Sequence, residues 1–265
     1  MRTKAAPWLA YVIALPLFGL VMAPLFGLFG ALTIDQFVSA IEHETFKSAL
    51  WLSLNTSFYS LLFIIFLGTP TAWIIAGSHP RVRGRLISLV ELPIVMPPAV
   101  VGLGLLMCFG PTSLIGKAFA SMGLSVPFTT VAVIIAQVVI ATPFYISAAV
   151  AAFSSVNNDL LVVARTLGLG RWATFYRVLI PMSLPHLISG AALAWARALG
   201  EFGATLLFAG SLKGITMTMP LAIYSALETE IPVAIALAVV LIALALSLLI
   251  LLRSTPTLIT FLTRS

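Results

Sequence analysis

Two charges stand inside one apolar stretch, Arg197 and Glu201, four residues apart. On a helix that spacing puts both on one face, where they can pair. A lone charge in hydrocarbon costs on the order of 2.5–3.5 kcal/mol on insertion scales, so the pair belongs in a bundle interior or a dimer interface. Two roles remain open for it: a structural pair that fixes helix packing, or an arginine beside a path that an anion travels. Gly200 and Gly203, with Ala196 and Ala204, make a small face on the same stretch that admits close backbone approach. Glu91 follows Arg81, Arg83 and Arg85, which predicts a local ion pair at the start of an apolar run.

Other reactive residue types form no site. His43, His79 and His186 are scattered and lack metal-ligand spacing. Neither Gly-x-Ser-x-Gly nor His-Glu-x-x-His occurs, so hydrolase chemistry has no support. The run Gly110–Lys117 superficially suggests a phosphate loop, but five residues separate its glycines where four are needed. Ala118 then replaces the required Ser or Thr. The single cysteine, Cys108, excludes an intrachain disulfide and reads as a small core residue. No catalytic residue, metal site or cofactor is expected on this chain.

The elements that carry these residues follow from composition. Of 265 residues, 61% are hydrophobic and 8% charged, with a mean hydropathy of +1.14. Soluble domains carry about 25% charged residues. Apolar stretches of about 20 residues recur along the whole length, which predicts an all-α membrane protein forming one transmembrane domain over 1–265. Six spans are expected, over 8–30, 50–76, 86–109, 128–152, 186–209 and 232–252. The first has an apolar run, Pro7–Leu32, longer than the core of a signal peptide, so it is read as a retained helix. Pro16, Pro24 and Pro70 should distort their helices, with neighbours satisfying the freed carbonyls.

Charge sets the expected orientation. Arg2, Lys4, Arg81, Arg83, Arg85, Arg165, Arg171, Arg177, Arg253 and Arg264 fall on one side; Lys47, Lys117 and Lys213 fall on the other. Basic residues gather on the cytoplasmic side, so both termini are expected there. Asp35, Glu42, Glu44, Glu228 and Glu230 all fall outside. The net charge of +6 therefore reflects short loops and not a nucleic-acid surface.

The cytoplasmic connection over 153–184 is the longest. Asn157, Asn158 and Asp159 are good helix N-caps. Leu160, Val163, Ala164 and Leu167 follow at helical spacing, with Arg165 between them. Gly168 and Gly170 break the helix, and Pro181 and Pro185 mark the entry to the fifth span. The result is a short amphipathic helix outside the membrane whose apolar face needs a partner. Pro93, Pro97 and Pro98 interrupt the third span, as broken helices do beside a water-filled path. Outside, Lys213, Thr216 and Thr218, with Pro220, form a candidate docking surface; an ordinary solvated loop is the other reading.

Here the sequence resembles the ABC-importer permease family. Its cytoplasmic motif reads Glu-Ala-Ala, three residues, Gly, nine residues, Ile, one residue, Leu-Pro. Ala164, Gly168, Val178, Ile180 and Pro181 hold matching positions, while Val162 and Val163 replace the Glu and first Ala. Pro93–Gly102 resembles the Pro-Pro-rich stretch of molybdate and sulfate permeases. Ala196–Thr205 and Thr218–Leu227 are similar to segments of the molybdate branch. The resemblance implies a type I ABC importer permease fold in the cell's inner membrane, working by alternating access as a homodimer. It also implies a coupling loop over about 153–184 for two copies of an ATP-binding subunit, with Asn158, Asp159, Leu160, Val163, Ala164, Arg165, Leu167, Gly168 and Pro181 as the coupling residues, and an oxyanion-binding protein as partner. The cargo implied is molybdate or tungstate, with a sulfate or thiosulfate permease as the alternative. Pro97, Pro98, Arg197, Gly200, Glu201, Gly203 and Thr205 are the expected pathway and packing residues. The missing Glu at 162 removes one polar contact from the coupling interface. An ion-coupled secondary transporter, the rival of a different class, has less support: Glu201 alone lies deep in a span, and no internal repeat is visible.

Overall fold

The computed structural model describes residues 8–262, and every regular element among them is helical. Four helical runs are long and apolar enough to cross a membrane: Glu44–Ala76, Thr130–Ser155, Arg171–Leu199 and Ile231–Leu248. Two bent pairs raise the total to six if each counts as one span. The first joins α1 (Trp8–Phe29) to α2 (Ile34–Glu42) at 76°. The second follows α3 (Glu44–Ala76) and joins α4 (Pro80–Val95) to α5 (Pro98–Phe109) at 104°.

The remaining elements are α6 (Leu114–Ser121), α7 (Thr130–Ser155), α8 (Asn158–Thr166), α9 (Arg171–Thr174), a π-helical turn Phe175–Leu179, α10 (Ile180–Leu199), α11 (Gly203–Ala209), α12 (Met219–Thr229) and α13 (Ile231–Leu262). Helix α7 is the hub, packed on α3, α4, α5, α10 and α11. Its buried face is mostly alanine, valine and isoleucine, whose small or branched side chains let neighbouring helices close in. Ala40, Phe46, Met219 and Leu237 build a separate cluster where α2, α3, α12 and α13 meet.

Two expected spans need correction. The third, expected over 86–109, starts earlier, at Pro80, and breaks at Pro97–Pro98 as its prolines implied. Pro97 and Pro98 follow one another, and Met96 is held extended at ψ 135° as a residue before proline must be. The fifth begins at Arg171, not at 186, and its helix ends at Leu199, not at 209. Pro181 and Pro185 therefore lie within this helical run instead of ahead of it. The π-helical turn explains how: the Ile180 N–H reaches back to the Phe175 carbonyl, and the widened turn precedes Pro181, which has no N–H to give. Aromatic packing holds that early start, with Phe175 stacked on Trp73 of α3 at 4.3 Å and Trp172 at 5.2 Å from the same ring.

Candidate functional site

The two broken segments meet. Where α10 stops, the chain turns through Gly200 and restarts at Gly203 as α11, which lies against α5. A Cβ on Gly102 would come within 2.6 Å of the Ala204 carbonyl oxygen, and one on Gly203 within 3.0 Å of Pro98 Cβ. Only glycine allows these backbones to touch. The proline hinge at 97–98 thus sits beside the glycine break at 200–203, bringing the third and fifth spans together at their weakest points. Pro97 and Pro98 are themselves exposed in the single chain.

Glu201 occupies this break and not a helical face shared with Arg197. The pair nevertheless forms: Arg197 Nη2 lies 2.6 Å from Glu201 Oε2, with the carboxylate 1% exposed and the guanidinium side chain 28% exposed. The other oxygen, Oε1, accepts from the Ala204 N–H at 2.8 Å and so caps the first turn of α11. A carboxylate at a helix N-terminus is favourable twice, through that hydrogen bond and through the helix dipole. Thr205 is buried just beyond, its hydroxyl without a hydrogen-bond partner among the described residues. The arrangement holds one arginine at a fixed place with part of its surface free.

A second feature lies at the far end of α7. Asn157 Oδ1 accepts from the Asp159 N–H at 2.9 Å and caps α8. The helix ends in a Schellman turn: the Leu169 N–H bonds the Ala164 carbonyl and the Gly168 N–H bonds the Arg165 carbonyl. Gly168 has φ +89°, a conformation that L side chains rarely adopt. Ala164 is buried, whereas Leu160, Val163 and Leu167 are exposed, Leu167 by 79%. Asn158, Asp159 and Arg165 are exposed as well, as is Pro181 beyond the π-helical turn. The expected apolar face is present and has no partner within the described residues.

Three expectations change. Thr216 and Thr218 are buried, so they offer nothing to a docking partner. Thr216 Oγ1 accepts from the Leu212 N–H at 2.8 Å and ties the loop internally. Lys213 stays exposed, together with Leu212 and Ile215. Glu91 does not pair with the nearby arginines; it accepts a hydrogen bond from Ser147 at 2.8 Å. Cys108 is exposed and not a core residue. Two histidines serve as helix caps, His43 for α3 and His79 for α4, and His43 also meets Glu230 at 3.1 Å.

One buried polar seam escaped sequence reasoning. Ser53, Ser57 and Ser60 line one face of α3, and each joins a different helix. Ser53 accepts from the Met219 N–H at 2.6 Å, and Ser57 accepts from the Trp195 indole at 2.9 Å. Ser60 donates to Gln137 at 2.9 Å. Their i, i+4, i+7 spacing inside an apolar run was the available signal.

The sequence pattern of the family described as binding-protein-dependent transport system inner membrane component matches residues 67–255, which include both breaks and the α8 loop. The chain belongs to that family. It is 41% identical over 196 residues to the molybdenum transport system permease protein ModB of Mycobacterium tuberculosis, covering 73% of this chain and 74% of that one. The ModB of Escherichia coli K12 is 37% identical over 182 residues, covering 68% and 80%. Among solved structures, the permease resembles a chain of a bacterial alginate ABC transporter with TM-score 0.70 at 21% identity, over 94% of this chain and 92% of that one. It also resembles a chain of the MetNI methionine ABC transporter, with TM-score 0.60 at 17% identity, over 78% and 94%. The permease is a multi-pass inner-membrane protein with the fold of ABC importer membrane subunits.

Proposed function

We propose that this permease is the membrane subunit of an ATP-driven importer for a tetrahedral oxyanion, molybdate, and that it works as a homodimer. The observation that carries the reading is the identity shared with molybdenum permeases over most of the chain. In this reading the loop around α8 is cytoplasmic and both termini lie on the same side, as the basic residues favour. The exposed face of Leu160, Val163 and Leu167 seats in one of two ATP-binding subunits. An oxyanion-binding protein docks outside, near Lys213, Leu212 and Ile215.

Transport is then a population shift. ATP binding closes the two ATPase subunits, draws the α8 loops together and favours the outward-open dimer; hydrolysis restores the inward-open one. The hinge at Pro97–Pro98 and the break at Gly200–Gly203 line the central path, where Arg197 meets the passing oxyanion. The chain itself makes and breaks no covalent bond.

Complementation tests the reading. The permease, expressed with its ATPase and binding protein in cells lacking their own molybdate permease, should restore molybdate accumulation at limiting supply. Accumulation of sulfate but not molybdate would reassign the cargo, and accumulation without the ATPase would refute the mechanism. For Arg197, the double variant Arg197→Gln, Glu201→Gln removes both charges together; normal transport by a folded double variant would remove Arg197 from the path.

A further inference from the structure

A basic cavity of about 560 Å³ lies under α8, between the ends of α3 and α7 and the start of α4 and α9. Three arginines line it, Arg83, Arg165 and Arg171, and no carboxylate among the described residues pairs with any of them. Arg83 is fixed in place: its guanidinium donates to the Ala76 and Ser78 carbonyls and to Ser154 Oγ, while its Nε is buried without a partner among the described residues. Arg165 and Arg171 are exposed at the mouth.

Helix α8 has two faces. Leu160, Val163 and Leu167 point outward, while Asn158, Leu161 and Arg165 line the cavity. A partner seated on the outward face leaves the cavity face free. The cavity wall contains Trp73 and the neighbouring Ile74, which is 65% exposed at the last turns of the spanning helix α3. Trp73 is turned inward onto Phe175, whereas the exposed Ile74 faces outward at the end of the span, where the helix leaves the apolar layer. Basic pockets between helix ends at that level suit anionic headgroups, since guanidinium forks bind phosphate oxygens in pairs.

We propose that this cavity binds the phosphate of an anionic phospholipid headgroup, holding α8 to the base of the bundle. The inference concerns lipid and stands apart from which cargo is carried. An acidic segment of a protein partner is the competing occupant, but it would meet the exposed Ile74 without apolar contacts of its own.

Native mass spectrometry on the full detergent-purified chain, titrated with phosphatidylglycerol or phosphatidylcholine, tests it. The wild type should retain phosphatidylglycerol selectively. Arg165→Gln with Arg171→Gln should weaken that binding roughly 10- to 30-fold, because each arginine near an anionic surface contributes about fivefold in affinity. Arg83 is left intact because it also supports the end of α3. Arg165→Lys with Arg171→Lys should keep most of the binding, and Arg81→Gln with Arg177→Gln, with the same net charge, should keep all of it. Equal retention of both lipids, or an equal loss in the control variant, would overturn the proposal. So would displacement of the lipid by equimolar inorganic phosphate. Loss of ATPase co-purification by the double Gln variant with lipid binding intact would assign the arginines to the protein interface and overturn it as well.

Discussion

A buried carboxylate in a membrane protein survives when both oxygens are engaged, and Glu201 meets that condition through Arg197 and the Ala204 N–H. Glu201→Ala removes both contacts and should destabilise the protein by on the order of 2 kcal/mol, less than a fully buried pair because Arg197 reaches solvent. Glu201→Gln keeps an oxygen for the Ala204 N–H and should lose less, which thermal unfolding in detergent will rank. Gly102 makes the opposite kind of demand, for emptiness. A Cβ there meets the Ala204 carbonyl, so Gly102→Val must push α5 from α11 and should cost about 1–3 kcal/mol. A variant as stable as wild type would mean the two breaks are not in tight contact. The Arg197–Glu201 pairing was legible from spacing alone. The capping role of Glu201 was not, because an apolar run hides where a helix stops.

At the scale of elements, the α8 loop shows what sequence can carry. Its cap, apolar face and glycine stop all came from local rules, and the structure has each of them. The entry to the fifth span did not, because it depends on Trp73, a hundred residues away, receiving Trp172 and Phe175, and on a π-helical turn that accommodates Pro181. The break in the third span was legible in Pro97 and Pro98, but its start at Pro80 and the 104° turn of its axis were not, because apolar length carries no direction. Gly168→Val places a branched side chain at φ +89° and should cost about 1–2 kcal/mol at the end of α8. In proteoliposomes containing the ATPase, that variant should hydrolyse ATP while uptake falls, and normal uptake per ATP would remove the loop from coupling. Leu160→Asp with Leu167→Asp leaves the buried Ala164 side untouched, so it should spare folding but lose the ATPase on co-purification.

The whole molecule is a set of apolar helices joined through polar points: a serine seam on α3, a capped break beside α5, and an exposed helix at one end. Its membrane character was plain from composition, whereas the burial of Thr216 and Thr218 was not, since folding the loop inward depends on a hydrogen bond from Leu212. Orientation rests on charge placement and can be read directly. In a Cys108→Ser background, Lys213→Cys should react with an impermeant maleimide on intact cells, and Val162→Cys only after the membrane is opened. The most direct test of the account is molybdate uptake into proteoliposomes holding the permease, its ATPase and its binding protein. Uptake should require ATP enclosed in the lumen, on the ATPase side, with the binding protein outside, and should stop with a hydrolysis-deficient ATPase. Uptake driven by an ion gradient without ATP would contradict it.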